Sequence, residues 1–271
     1  MIRKNKVRNE QFYTKQEIAL KLVNFIKSQD WFSTIERVIE PAAGAGAFSN
    51  LFDNCIAFDI EPAINVSNII ITNFLSIDIH IGLKTLVVGN PPFGKQSSLA
   101  LKFIKKSCIF ADYIAFILPL SFKKASYQNK IPATHSLIAE ILIEPNSFYT
   151  SDKEDFKMSA VFQIWKRENR QIIKLKKNSD YFEWSDKEDA NLAIRRVGYY
   201  AGNVIEDIKS TSIVSHYYIK CEEKKIKNII NCIKNIDWTK LTALVAGPRS
   251  LSKSEFVYEF ENMWIKINDT M

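Results

Sequence analysis

Glycine, proline, cysteine and histidine are all sparse in this chain of 271 residues, with eight glycines, eight prolines, four cysteines and three histidines. Cys55, Cys108, Cys221 and Cys232 show no C-x-x-C spacing, and His80, His135 and His216 do not join them in a zinc pattern. Disulfide and metal chemistry are therefore not expected. No apolar run is long enough to cross a bilayer, and the stretch MIRKNKVRNEQFYTK is too polar for a secretory signal. These features predict a cytoplasmic protein with no membrane partner.

What is present is an ordinary globular composition, 46% hydrophobic and 25% charged, sufficient for one large domain or for one domain with an appendage. The formal charge of +7 is compatible with a polyanionic partner, although a lysine surplus by itself more often marks a solvated surface. There is no low-complexity tract and no internal repeat.

The scarce glycines and prolines are not scattered. Residues 87–95 read VVGNPPFGK, a strand-like run that stops at Gly89 and is followed by Asn90, Pro91, Pro92, Phe93 and Gly94. A rigid turn needs only the prolines and glycine. It does not need the Asn90 amide, which is both acceptor and donor, or the aromatic face of Phe93. Held stiffly, these two would make a socket for a flat, amino-bearing group.

Apolar periodicity predicts a helix over 16–27 with Thr14 as its N-cap, then short strands at Val38–Ile39, 55–58, 69–73 and 85–89. A helix over about 97–110 and strands at 113–119, 137–144 and 160–165 complete this region. Buried strands alternating with helices predict a doubly wound, mostly parallel α/β sheet. Ligands bind at the carboxyl ends of such strands. Glu40, Asp59, Asn73 and Asn90 each fall just after a strand, and Gly44, Gly46, Gly82, Gly89 and Gly94 lie in the same half.

EPAAGAGAF lacks the third glycine of a dinucleotide fingerprint, and no lysine follows to cradle phosphate. Its small residues still let a ligand approach the backbone, and Glu40 at its entrance suits a cationic ligand such as a sulfonium. Asp59 is placed to hold a ribose or, equally, to cap a helix. A glycine loop, a ribose carboxylate and no phosphate site point to a nucleoside without phosphates, such as S-adenosylmethionine.

EPAAGAGAF, FDIEP, NFL and NPPF, in that order after FYT, resemble the S-adenosylmethionine-dependent methyltransferases that modify exocyclic amines of DNA bases, with the cofactor region first and target recognition last. The resemblance covers roughly residues 11–165. It implies a seven-stranded Rossmann-like methyltransferase sheet with a small C-terminal α+β appendage, and adenine N6 as the methyl acceptor. By the same resemblance Tyr13, Thr14, Glu40, Ala42, Gly44 and Gly46 would surround the methionine part of the cofactor. Asp59 would bind the ribose, Ile60 would pack on the adenine, and Asn73 with Phe74 would complete the adenine site. Asn73 stands where the family usually has an aspartate. Asn90, Pro91, Pro92 and Phe93 would form the catalytic motif, with Phe93 stacking on a base flipped from the duplex. NPP-[FY] is also similar to the motif of enzymes that methylate adenine in structured RNA or glutamine in release factors. A non-catalytic partner subunit of the same fold is a third reading.

The charged stretch KRENRQIIKLKKNSDYFEWSDKED reads as a linker, giving a catalytic domain over 1–168 and a recognition region over 169–271. The latter shows strand-like pieces around IRRVGYY and SHYYIK, a helix over 222–236 and a turn AGPRS. Arg195, Arg196, Tyr199 and Tyr200 mix basic and aromatic character, and Lys123, Lys124 and Lys130 follow the 113–119 strand; these are the candidate nucleic-acid contacts. The expected partner is DNA, with a cognate restriction endonuclease or an accessory subunit left open.

Overall fold

The computed structural model describes residues 12–63, 68–242 and 249–268. The chain divides into two compact units, one formed by 1–122 and 127–172, the other by 123–126 and 173–271. Most of the AGPRS turn lies outside the described residues.

In the first unit the elements are β1 (Phe12–Thr14), α1 (Gln16–Lys27), β2 (Arg37–Glu40), β3 (Cys55–Asp59), β4 (Ile69–Ile71), β5 (Thr85–Gly89), α2 (Ser98–Phe110), β6 (Tyr113–Pro119), α3 (Ala125–Gln128), β7 (His135–Ile143), β8 (Phe148–Thr150), β9 (Asp155–Phe156) and β10 (Ala160–Arg167), α3 straddling the division. Seven strands form one sheet in the order β4-β3-β2-β5-β6-β10-β7. The five strands from β4 to β6 pair in parallel, and β10 runs antiparallel to both β6 and β7. This is the doubly wound, mostly parallel α/β sheet that the sequence predicts, with the seven strands that the resemblance implies.

Both faces of the sheet are covered because the central strands are apolar on both. Leu86 and Val88 of β5 join the Ala19, Leu22, Val23 and Ile26 stripe of α1, while Val87 points the other way and joins Ala100, Phe103, Ile104 and Cys108 of α2. Fully burying each large aliphatic side chain contributes roughly 1.5–3 kcal/mol, so α1 is held mainly by this stripe. Its N-cap is Lys15, with no side-chain cap bond. The predicted cap, Thr14, is instead extended in β1, paired with Phe148 of β8. Strand pairing has taken the residue that local propensity would have used as a cap.

Progressing from β2, the chain moves outward to β3 and β4, then returns to place β5 and β6 on the other side. The order therefore reverses between β2 and β5, and a crevice opens beyond their carboxyl ends, at Glu40 and at Gly89. A second, three-stranded antiparallel sheet, β1-β8-β9, is also present. In it the tripeptide Phe-Tyr-Thr of β1 pairs residue for residue with the same tripeptide of β8.

The second unit contains β11 (Glu183–Trp184), β12 (Leu192–Arg195), β13 (Val204–Ile205), β14 (His216–Lys220), α4 (Glu223–Lys234), α5 (Trp238–Thr242) and α6 (Lys253–Asn268). Its sheet is antiparallel, in the order β11-β14-β12-β13. Leu192, Ile194 and Ile219 form a core with Ile229, Cys232 and Ile233 of α4 and Phe256 and Phe260 of α6. The predicted linker is not wholly a linker: Phe182 is buried in this core, and Tyr181 and Trp184 pack against it. Charge dominates that stretch by count, but three aromatic side chains bury enough area to fix it.

Candidate active site

A cavity of about 380 Å³ occupies the crevice in the first unit. Its wall includes Tyr13, Thr14, Glu40, Ala42, Gly44, Asp59, Ile60, Asn73 and Phe74 of the predicted set, together with Asn90 and Pro92. Three carboxylates, Glu40, Asp59 and Glu61, line it, and no lysine, arginine or histidine does so among the described residues. Such a wall offers phosphate no cation and suits a neutral or cationic ligand.

Local chemistry explains each placement. β2 delivers Glu40 into the interior, where its Oε2 accepts from the Ser49 amide at 2.6 Å. Burial pushes the Glu40 carboxyl up to about 8, and the hydrogen bonding to Ser49 only partly opposes this. β5 can pass this close only as glycine: a Cβ on Gly89, at φ +148°, would lie 3.3 Å from Glu40 Cγ. The small-residue loop is stapled by Asp59, whose Oδ2 accepts from the Gly44 amide at 2.7 Å while Oδ1 accepts from Glu61 at 2.8 Å. Each of these oxygens retains a second lone pair that a hydroxyl can reach.

Gly44 has φ +53°, and the Tyr13 ring lies where its Cβ would be, 2.8 Å from Tyr13 Cε1. Gly46, predicted as a ligand contact, is not on the cavity wall; at φ +74° it turns the loop against Asn50. Asn73 accepts from the Leu75 amide at 3.0 Å, which fixes its oxygen, and Phe74 is buried against Phe103. Ile60, by contrast, is 70% exposed. Thr14 Oγ1 is buried without a hydrogen-bond partner. An orphaned hydroxyl, an exposed isoleucine and a cation-free carboxylate wall fit a nucleoside bearing a cation and no phosphate.

A smaller cavity of about 190 Å³ adjoins the first, lined by Phe12, Asn90, Pro91, Pro92, Phe93, Gly94 and Met158. Phe12, Asn90 and Pro92 belong to both walls. Asn90 Nδ2 donates to the Phe12 carbonyl at 3.4 Å, so the amide is oriented from outside the motif. The Phe93 carbonyl accepts from Leu99 and Ala100 at the start of α2, and Gly94, Gln96 and Ser97 all have positive φ. Strain of this kind persists only where the surroundings hold it.

Sequence reasoning missed Phe12 and Met158. Phe12 stacks on Phe156 at 3.9 Å between centroids, and Met158 is tied by its amide to the Pro145 carbonyl. Both reach the site through the β1-β8-β9 sheet and its exit; Phe12 opens the FYT motif, of which only Tyr13 and Thr14 enter the predicted set, and no local motif marks Met158.

The predicted nucleic-acid residues fare unequally. Lys124 is buried and forms an ion pair with the buried Glu255 at 3.3 Å, so it is not available to phosphate. Lys130 is exposed over the Tyr127 ring, and Lys123 is half-buried. Arg195 and Arg196 donate to the Val197 and Val214 carbonyls through Nε, beside the exposed Tyr199 and Tyr200. No group of three or more metal-ligating side chains occurs among the described residues.

No protein-family model matches the chain, and no curated protein matches it. Solved structures with a similar course include a candidate RNA methyltransferase of Pyrococcus horikoshii, 16% identical over 61% of this chain and 91% of that one, TM-score 0.46. The 23S rRNA methyltransferase ErmE is 9% identical over 93% and 99% of the two chains, TM-score 0.41. The M protein of the type I restriction enzyme EcoKI is 12% identical over 97% and 74%, TM-score 0.42. At TM-scores below 0.5 none of these bears on the chemistry of the site. The fold assignment rests on the strand order.

Proposed function

We propose that this chain is an S-adenosylmethionine-dependent methyltransferase that modifies the exocyclic N6 amine of adenine in DNA. The observation that carries this reading is the orientation of Asn90. Its nitrogen donates one hydrogen to the Phe12 carbonyl, which fixes the amide plane of a residue that lines both cavities and whose side-chain oxygen would be the acceptor.

S-adenosylmethionine would supply an electrophilic methyl group on a sulfonium. Glu40, once ionised, would balance that charge, with Tyr13, Thr14, Ala42 and Gly44 around the methionine part. Asp59 would hold the ribose hydroxyls through its remaining lone pairs, and Ile60, Asn73 and Phe74 would enclose the adenine.

An aromatic amine is a poor nucleophile because its lone pair is delocalised into the ring. Two acceptors, the Asn90 oxygen and the Pro91 carbonyl, would draw its hydrogens and leave the lone pair facing the methyl donor. The two prolines keep those acceptors fixed, so little reorganisation is needed in the transition state. Phe93 supplies an aromatic face for a base taken out of its stack, and the cavity of about 190 Å³ is of the size for one base. Contact with the nucleic acid would come from Lys123, Lys130, Arg195, Arg196, Tyr199 and Tyr200, and a restriction endonuclease or accessory subunit is a natural partner for such an activity.

Transfer of labelled methyl groups to duplex DNA, single-stranded DNA, structured RNA and a release-factor protein, with Asn90→Ala beside the wild type, tests the proposal. The expected product is N6-methyladenine in DNA, lost in the variant. Label confined to RNA or to glutamine would replace the substrate. Cofactor binding with no transfer to any acceptor would replace the enzyme by a partner subunit.

A further inference from the structure

Residues 212–215 of the second unit form a closed turn with its two apolar side chains in solvent: Ile213 is 72% exposed and Val214 is 73% exposed. The turn is rigid. The Ser215 amide donates to the Ser212 carbonyl at 3.0 Å, and His216 Nδ1 reaches the same carbonyl at 2.9 Å. The segment before it is fastened by Thr211 Oγ1 to the Tyr218 hydroxyl at 3.1 Å and by Lys187 to the Lys209 carbonyl at 3.2 Å.

Nothing about packing requires two adjacent β-branched aliphatic residues at such a tip, where polar turn residues would cost less. Their neighbours say what the tip is built to meet. Arg196 Nε donates to the Val214 carbonyl, and its guanidinium lies over the Tyr217 ring at 5.6 Å. The backbone of 196–198 pairs with that of 249–251, which brings Arg249 over the Tyr199 ring at 4.7 Å. Lys253 lies 4.7 Å from the Trp184 ring and 5.6 Å from that of Tyr217. The cations rest on aromatic faces, and among the described residues none of the three is ion-paired with a carboxylate. Tyr199 and Tyr200 stand beside them, 68% and 59% exposed.

We propose that the Ile213–Val214 tip is a wedge that enters the base stack of duplex DNA, with Arg196, Arg249 and Lys253 engaging the flanking phosphates. Apolar side chains inserted at a base step unstack it and kink the duplex, and the arginines neutralise the backbone that the kink brings together. Because the turn is already closed, insertion needs no ordering of the loop. The inference rests on the nucleic-acid substrate proposed above, and it assigns to this unit the task of opening the stack.

Fluorescence anisotropy compares the full chain on a labelled paired duplex, on the same duplex with a central mismatch, and on a structured RNA. A wedge gains most where unstacking is already cheap, so wild type is expected to bind the mismatched DNA on the order of tenfold more tightly than the paired DNA. Ile213→Ser with Val214→Ser keeps binding to paired DNA and brings that ratio to about one. Arg196→Ala with Arg249→Ala weakens both DNAs alike and flattens the salt dependence. The tip residues are exposed, so the serine variant is expected to keep its circular dichroism spectrum.

Persistence of the mismatch preference in the serine variant overturns the wedge and leaves the methyltransferase reading standing. So does a change of oligomeric state in that variant by sedimentation, which would make the tip a protein contact. If wild type binds none of the three nucleic acids while still binding the cofactor, the nucleic-acid substrate itself is wrong and the wedge falls with it.

Discussion

Asn90 and Phe12, 78 residues apart, are joined by a hydrogen bond of 3.4 Å from the Asn90 side-chain nitrogen to the Phe12 carbonyl. The bond orients the amide, because only the nitrogen can donate to a carbonyl. The Asn90–Phe93 turn is thus tied to a strand outside it.

Asn90→Ala is expected to lower kcat on the order of 10²-fold or more, the usual effect of removing one preorganised transition-state partner. The dissociation constant for S-adenosylmethionine should change little. Single-turnover transfer and calorimetric binding separate the two. A variant that loses cofactor affinity and keeps its rate would show that Asn90 serves the larger cavity alone.

Glu40 should make both binding and stability depend on pH. With its carboxyl pushed up to about 8 by burial, the ligand-free protein holds it mostly protonated at pH 7. Binding a cation favours the ionised form, so uptake of S-adenosylmethionine at pH 7 should release about one proton. Calorimetry in two buffers of different ionisation enthalpy reads this directly. In the absence of ligand the raised pKa means that ionisation opposes folding. The contribution of Glu40 is therefore fully present below its unfolded-state pKa and is lost as pH rises through about 8. Glu40→Gln should accordingly melt higher than wild type at pH 8, with the gap closing in acid, and should lose cofactor affinity.

Gly44→Ala tests how closely the loop and β1 approach each other. The added methyl would meet Tyr13 Cε1 at 2.8 Å, at a φ of +53° that also strains an alanine. A loss on the order of 1–3 kcal/mol in urea unfolding is expected, with weaker cofactor binding that Tyr13→Ala partly restores in the double variant. Absence of any such coupling in the cycle would mean that the ring moves aside freely.

Lys124→Met probes the buried pair in the second unit. Glu255 also closes a capping box at the start of α6: its carboxylate accepts from the Ser252 amide at 2.9 Å, and its own amide donates to Ser252 Oγ at 3.3 Å. Burial opposes ionisation of Glu255, yet the Ser252 amide and Lys124 hold its pKa below the ordinary value. The stability this brings is present at neutral pH and is lost as pH falls through that lowered pKa. Removing Lys124 alone should cost on the order of 3 kcal/mol in chemical denaturation at pH 7. Adding Glu255→Gln, which keeps an acceptor for the box but no charge, should recover most of it. Equal losses in the single and double variants would contradict a charge-based role.

Several elements were written locally. The α1 stripe, the apolar runs of β5 and β6, and the order of small-residue loop, carboxylates and NPPF are short-range patterns, and short-range patterns are what periodicity reports. The fate of Thr14 was not local, since a cap and a strand residue look alike until the strand finds its partner in β8. Lys124 illustrates the same limit for charge. A lysine beyond a strand reads as surface, and only the arrival of Glu255, 131 residues later, makes it interior.

The sequence alone determined the sheet and the rim on which Glu40, Asp59, Asn73 and Asn90 stand, because strand and turn propensities act over a few residues. Tertiary structure decided the rest: which end of the Asn90 amide faces Phe12, that Phe12 and Met158 complete the smaller cavity, that Gly46 stays off the wall of the larger one, and that Phe182 is core. Each of these depends on contacts between residues far apart in the chain. Such contacts are chosen by the global exclusion of water and pairing of polar groups, which no local window of sequence contains.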